Sequence, residues 1–225
     1  YDQPLRPRPT APVVAPVWAY EAGAPLWAGP TVADGLVLAG ADDGRLHALE
    51  ARTGERRWVY RAAGAIRTRP TVVDGTAMLQ ADDGLLYGLA AATGEELWRV
   101  RVADTPAVRK PSSDPDSRYD RYGSDVVVVE GLLYLGTHEG RLLCLDAATR
   151  ARVWGFESGD AVLAAPAVAG GKVVFGSFDG HVYALDAATG ELRWKHDTGR
   201  PVVSTPAVAG DRVIVGSRSY DLFAL

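Results

Sequence analysis

Apolar residues in this chain fall in short runs of three to six positions, rich in Val, Leu and Ala and broken by glycine-bearing pairs and triplets. Between Pro166 and His196 the runs read PAV, KVVFGS, HVYAL and ELRWKH, separated by GG, FDG and AATG. Runs this short and this rich in β-branched and aromatic residues predict strands, and no segment sustains the 3.6-residue spacing of an amphipathic helix. Asp-Gly and Gly-Gly pairs supply the positive φ that tight hairpin connections need, so each group of four runs predicts an antiparallel meander.

The meander repeats. Tryptophans stand at Trp18, Trp58, Trp98, Trp154 and Trp194, spaced 40, 40, 56 and 40 residues, so the odd interval is one repeat plus a 16-residue insertion. Acidic-Gly turns keep the same step at Asp43-Gly44, Asp83-Gly84, Glu139-Gly140 and Asp179-Gly180, with Ser219-Tyr220 in the equivalent place. Prolines open the units at Pro30, Pro70, Pro166 and Pro206, and Val126 takes that place after the insertion. A four-strand unit repeated every 40 residues or so suits a propeller blade, because radial packing of sheets leaves only short edges exposed. Blades are expected at 29–60, 69–100, 125–156 and 165–196, and a fifth starts at 205 and reaches Leu225 after three strands. Residues 13–20 (VVAPVWAY) hold Trp18 in the register of a fourth strand.

The expected fold is therefore all-β: a β-propeller of five four-stranded antiparallel blades, its ring closed by the N-terminal strand. The alternative is a slice of a larger propeller in which residues 13–20 end a preceding blade. Residues 13–225 are expected to form a single domain with an insertion loop at about 103–124, and residues 1–12, with prolines at 4, 7, 9 and 12, read as an extended linker or tail. The chain opens on Tyr1 without the charged and apolar regions of a signal peptide, which reads as a fragment or a processed product.

Composition narrows the chemistry. With 225 residues, 47% hydrophobic, 23% charged and a formal charge of -4, the chain is an ordinary globular one. The weak acidity argues against nucleic acid, and no run reaches the roughly 18 apolar residues of a membrane span, so neither nucleic-acid binding nor membrane insertion is expected and a monomer is. One cysteine, Cys144, excludes an internal disulfide and a CxxC pair, and its place in a small-residue column reads as a buried thiol. His47, His138, His181 and His196 are scattered without HxxxH or HExxH spacing. Asp42-Asp43 and Asp82-Asp83 resemble paired carboxylates, but Asp before Gly is what a hairpin turn requires. No nucleophile with its base is visible, so no catalytic residue and no metal site are assigned.

The unit AxDxxTGxxxW is complete from Ala184 to Trp194 and nearly so from Ala48 to Trp58, with Glu50 in place of Asp. It resembles the tryptophan-docking repeat of the PQQ-like (quinoprotein-type) β-propeller family, over almost the whole chain from about residue 13. Ala90 in the second unit and Arg150 in the third depart from the pattern. The resemblance implies that Trp18, Trp58, Trp98, Trp154 and Trp194 are structural staples. The family's dehydrogenases are usually larger, eight-bladed, and hold pyrroloquinoline quinone (PQQ) and calcium with acids, Asn and an adjacent Cys pair. This chain has one Cys and no Asn, so no cofactor is expected. Other members are non-catalytic: an outer-membrane-assembly lipoprotein and sensor repeats on bacterial kinases. The expected function is a non-catalytic ligand- or protein-binding module, a bacterial sensor or interaction domain, with an extracytoplasmic or periplasmic location implied by the resemblance. The alternatives are a quinoprotein oxidoreductase that binds PQQ and a protein-assembly scaffold.

Strand directions place the links between blades at the same end as the turns between second and third strands. Residues just before each opening proline should lie nearest the axis: Trp27, Arg67, Arg69 and Ser204. Trp27 is outside the staple column, and an aromatic beside two arginines suits an anionic or peptide ligand. The plainer alternative is that Trp27 plugs the axis and the arginines are solvated. The insertion offers a second candidate in Arg118, Tyr119, Arg121 and Tyr122, residue types favoured at interfaces. Its charges nearly cancel, with Arg109, Lys110, Arg118 and Arg121 against Asp104, Asp114, Asp116 and Asp120. The expected partner is a protein or a small anionic ligand on the face of the inter-blade links.

Overall fold

In the computed structural model, which describes residues 15–109 and 122–225, each repeat folds as a meander because its apolar runs are short and residues with positive φ separate them. Blade 1 contains β1 (Thr31–Ala33), β2 (Leu36–Gly40), β3 (Arg45–Glu50) and β4 (Arg56–Arg61). Blade 2 contains β5 (Thr71–Val73), β6 (Thr76–Gln80), β7 (Leu85–Ala90) and β8 (Glu96–Arg101). Blade 3 contains β9 (Val127–Val129), β10 (Leu132–Gly136), β11 (Arg141–Asp146) and β12 (Arg152–Glu157), and blade 4 contains β13 (Ala167–Ala169), β14 (Lys172–Gly176), β15 (His181–Asp186) and β16 (Leu192–Asp197). Blade 5 contains β17 (Ala207–Ala209), β18 (Arg212–Gly216) and β19 (Leu222–Ala224). Every sheet is antiparallel with its strands in chain order. The four complete blades share a register shift in one column, at Ala48/Leu49, Gly88/Leu89, Cys144/Leu145 and Ala184/Leu185, which sharpens the twist of the outer strand.

The core lies between blades rather than within them, since each sheet presents apolar side chains on both faces. Leu38 and Leu46 of blade 1 meet Leu79 and Leu89 of blade 2. Met78 and Leu86 meet Leu133 and Leu135 of blade 3, Tyr134 and Leu142 meet Phe175 and Leu185 of blade 4, and Val174 and Val182 meet Val213 and Val215 of blade 5. Among the described residues no such cluster joins blade 5 to blade 1. Residues 15–20 form no strand and do not pair with β19, so the closure expected of the N-terminal strand is not seen; residues 13 and 14 of that segment lie outside the described residues.

Tryptophans link the blades in series. The indole nitrogens of Trp18, Trp58 and Trp154 donate to the carbonyls of Ala51, Ala91 and Ala187, at 3.0, 3.1 and 3.0 Å, each in the turn between third and fourth strands of the next blade. The turn glycine lies under the ring: a Cβ on Gly190 would stand 2.6 Å from Cδ2 of Trp154, and its φ of +75° also disfavours a side chain. Arg150 occupies that position in blade 3 at φ 62°, and its guanidinium carbon sits 5.3 Å from the centroid of the Trp98 ring, so a cation–π contact replaces the indole–glycine contact. Trp194, like Val208 and Leu225, packs against the buried cluster that joins blades 4 and 5.

A second layer, of rings, lies two residues beyond four of the five repeat tryptophans. Tyr20, Tyr60, Phe156 and His196 pack on His47, Tyr87, Tyr183 and Phe223, with ring centroids 5.5, 5.7, 5.4 and 5.3 Å apart. Trp18 and Tyr20, although outside any strand, thus make on blade 1 both contacts that a fourth strand makes on its successor. The Tyr20 hydroxyl is 3.0 Å from Nδ1 of His47, while Nε2 of His47 is buried with no hydrogen-bond partner among the described residues. Burial, the largest cause, holds the His47 pKa below its ordinary value.

Truncating Trp154, which is 9% exposed, to alanine is expected to cost about 3 to 5 kcal/mol in urea unfolding. An unchanged midpoint would refute its role between blades. Because folding depresses the His47 pKa, its contribution is complete above the unfolded value of about 6.5 and is lost as pH falls through the folded value. Stability should therefore decline on acidification below about pH 6.5, and His47→Leu should flatten that decline; parallel curves for the two proteins would contradict it.

Candidate ligand-binding face

Each link leaves a fourth strand, runs along the turn between second and third strands of its own blade and reaches the same turn of the next. Ile66 N donates to Ala41 O at 3.0 Å, and Asp82 N to Ala65 O at 2.9 Å. The same pair recurs as Val162 N to Thr137 O at 3.0 Å and Phe178 N to Ala161 O at 2.9 Å. The segment before blade 1 behaves like a link, since Asp42 N donates to Pro25 O at 2.9 Å. Links and turns therefore share one end of the blades. The links converge on a cavity of about 330 Å³ lined from the segments that lead into all five blades, among them Trp27, Arg67, Tyr122, Ala164 and Val203.

Charge pairing organises the cavity's mouth. Arg67 Nε lies 2.5 Å from Asp42 Oδ1, and Nη1 lies 3.1 Å from Asp82 Oδ2. Arg109 donates to both oxygens of Asp82, through Nε at 3.0 Å and through Nη2, and its Nη1 donates to Tyr122 O at 2.9 Å. The hydrogen bond from Arg67 is the largest cause that holds the Asp42 carboxyl below its ordinary pKa, and a hydrogen bond from Trp27 adds to it. A chain of contacts thus runs from Trp27 through Asp42, Arg67, Asp82 and Arg109 to Tyr122, crossing three successive links. Arg69 is more open, 58% exposed, with its backbone N 2.7 Å from Asp125 Oδ1 and its Nε 3.3 Å from Oδ2. Burial pushes the Asp125 carboxyl up, against the pull of Arg69.

Trp27, Arg67, Arg69 and Tyr122 are brought together at this mouth. Ser204 is placed beside it but turned into blade 5: its Oγ donates to Gly216 O at 2.7 Å and accepts from Gly216 N at 3.0 Å, while Val203 and Thr205 line the cavity. Thr68 makes the same bracket with Gln80 in blade 2, at 3.0 and 3.2 Å. Arg118, Tyr119 and Arg121 lie outside the described residues. Sequence reasoning missed Asp42 and Asp82, which it read as turn acids; the turns are instead held by Asp43, which accepts from Arg45 N at 3.2 Å, and Asp83, which accepts from Leu85 N at 3.0 Å. It also missed Arg109, read only as one of several cancelling charges. A signal was present: the first turn position varies as Asp42, Asp82, His138, Phe178 and Arg218, whereas the second stays acidic in four repeats, so only the second is needed by the turn.

The acids near the axis each engage an arginine, and among the described residues no three His, Cys, Asp or Glu side chains converge as a metal site. Cys144 is fully buried in blade 3, and burial pushes its thiol up to about 11, away from thiolate chemistry.

The family described as outer membrane protein assembly factor BamB matches residues 15–129 and 114–225. Among solved structures, BamB from Moraxella catarrhalis superposes with a TM-score of 0.76 at 22% identity, over 93% of this chain and 61% of that one. A computationally designed protein, Ika8, gives 0.71 at 18% identity, over 87% of this chain and 56% of that one. Quinohemoprotein alcohol dehydrogenase from Comamonas testosteroni gives 0.68 at 18% identity, over 90% of this chain and 41% of that one. The chain thus spans less than two thirds of the length of each. No curated protein matches it in sequence.

Replacing Arg67 with methionine leaves Asp42 and Asp82 without their shared guanidinium and should cost about 1.5 to 3 kcal/mol. In carbon-detected NMR titration the Asp42 carboxyl should move up toward the ordinary carboxylate range; an unmoved titration would show that Arg67 does not hold it.

Proposed function

This chain belongs to the PQQ-like β-propeller family, and from that premise we propose that it is a non-catalytic binding module that takes a protein partner or a small anionic ligand at its axial mouth. The observation that carries this reading is the convergence of Trp27, Arg69 and Tyr122, delivered by three successive links, over the braced network of Asp42, Arg67, Asp82 and Arg109. Tyr122 is 49% exposed and Arg69 58%, so both reach solvent while Arg67 stays behind them at 16%. Tyr, Trp and Arg are the side chains that most often dominate binding energy at interfaces. A carboxylate on a partner can compete with Asp125 for the Arg69 guanidinium without disturbing the inner network. The family's description as an assembly factor favours a protein as the partner, in a bacterial interaction or sensor domain working outside the cytoplasm. In this reading residues 1–12 are a tether and residues 13–225 one propeller domain.

A second reading, a quinoprotein oxidoreductase, draws on the likeness to the Comamonas testosteroni enzyme. Against it stand the pairing of Asp42, Asp82 and Asp125 with arginines and the burial of the one cysteine, which do not fit a quinone held with calcium.

Affinity capture with wild type and with a Trp27→Ala/Arg69→Glu double variant tests the proposal. Capture of the partner is expected to fall by about tenfold or more in the variant while its melting temperature holds. Equal capture by both proteins would dismiss the axial mouth, and stoichiometric uptake of added PQQ with calcium would favour the oxidoreductase.

A further inference from the structure

The seam between blades 2 and 3 lacks the aromatic filling of its neighbours. Where other seams pair Tyr60 with Tyr87 and Phe156 with Tyr183, this one pairs Val100 with Leu143. Across the sheet from Leu143 stands Gly155, while the equivalent neighbours of Tyr87 and Tyr183 are Arg99 and Lys195. Reduced side-chain volume at three adjoining positions opens a cleft on the outer rim. Two contiguous cavities, of about 310 and 600 Å³, lie there and share Asp104, Arg141, Leu143 and Arg152. Neither shares a residue with the axial mouth.

The floor of the cleft is apolar, formed by Val100, Leu143 and Leu145, and its rim bears Arg101, Arg141, Arg150 and Arg152 against two carboxylates, Asp104 and Glu157. Arg141 is engaged by Asp104 at 2.5 Å and Glu157 at 3.8 Å, with Glu139 at 3.3 Å behind. Arg101, Arg150 and Arg152 have no carboxylate within 4.0 Å among the described residues: Arg101 and Arg150 donate to the carbonyls of Ala103 and Ala147, at 3.4 Å each, and Arg150 also lies over the Trp98 ring. An apolar slot is thus bordered by three guanidinium groups that lack an anionic partner among the described residues. β8 and β12, which border it, are outermost strands, and among the described residues no strand pairs with their outer edges.

We propose that this cleft docks an extended acidic segment of a protein partner, with a bulky apolar side chain over Leu143 and Gly155 and carboxylates at Arg101, Arg150 and Arg152. Alternation of acidic and apolar residues suits an extended chain, whose successive side chains point to opposite faces, and the edge of an outer strand can pair with its backbone. Asp104 and Glu157 oppose a polyphosphate backbone, and the slot calls for a side chain that nucleic acid does not carry. This site is independent of the axial reading.

A labelled hexapeptide of alternating Asp and Phe provides the probe, followed by fluorescence anisotropy. Saturable binding is expected, weakened by about tenfold or more in Arg101→Glu/Arg152→Glu and also in Gly155→Tyr, which refills the slot. Both variants should keep the wild-type melting temperature, the first because both arginines are exposed. Arg69→Glu should leave the affinity unchanged, and hexapeptides of Lys with Phe or Asp with Ala should bind weakly. No saturation with the Asp–Phe peptide, or affinities within about twofold across the cleft variants, would overturn the proposal. Equal or tighter binding of phosphatidylglycerol vesicles or short single-stranded RNA, abolished by the same charge reversal, would overturn the assignment to a peptide.

Discussion

The step from an indole on one blade to a carbonyl on the next is the constraint on which the remaining architecture depends. A four-stranded sheet with two apolar faces cannot bury either of them alone, and among the described residues no strand of one blade pairs with a strand of another. Side chains must therefore set both spacing and rotation. The tryptophan supplies a directional hydrogen bond at one edge of its ring and a flat apolar surface at its face, while the turn glycine admits that face. Once the step is fixed, the aromatic layer two residues on and the inter-blade leucines and valines fall into register.

The same step determines where chemistry can accumulate. Blades stepped in the same sense deliver their links to one end, and residues before each first strand meet at one cavity. Side chains there are not needed by the blade itself, so they diverge between repeats: Trp27, Arg67 with Arg69, Tyr122, Leu163 with Ala164, and Val203. The acidic and basic members settle into a mutually neutralising network, leaving only its outermost members open to solvent. The rim cleft arises from the opposite circumstance, a position the architecture does need, filled by side chains smaller than those in its neighbours.

Much of this is legible in the sequence because the repeat makes each column its own control. Strands, turns, blade limits and the shared end of the links follow from spacing alone. The position of Trp27, Arg67 and Arg69 at the cavity is legible from strand direction, whereas Tyr122 reads from the sequence only as an interface residue of the insertion. Ser204 is not, because whether a hydroxyl faces the cavity or brackets Gly216 depends on a rotamer. Nor are the partners of Arg67: Asp42 and Asp82 stand next to turn acids of identical type, and only three-dimensional placement separates the two roles. Closure is illegible for a related reason, since a fourth-strand register in residues 15–20 specifies contacts with blade 1 but says nothing of pairing with β19.

The small residues at the seam of blades 2 and 3 bear on mechanics as well as on recognition. Dispersion contacts stiffen a joint, and among the described residues this is the seam between successive blades without a ring-on-ring contact. Polar bonds tie it instead: Gln80 Nε2 donates to the carbonyls of Ser124 and Gly136 at 2.8 and 3.2 Å, and Thr71 Oγ1 to that of Val126 at 2.7 Å. Arg109 and the pairing of Arg69 with Asp125 cross this joint at the axial end, so a load that wedges or clamps the outer rim would be transmitted, as through a lever, to the spacing of charges at the mouth.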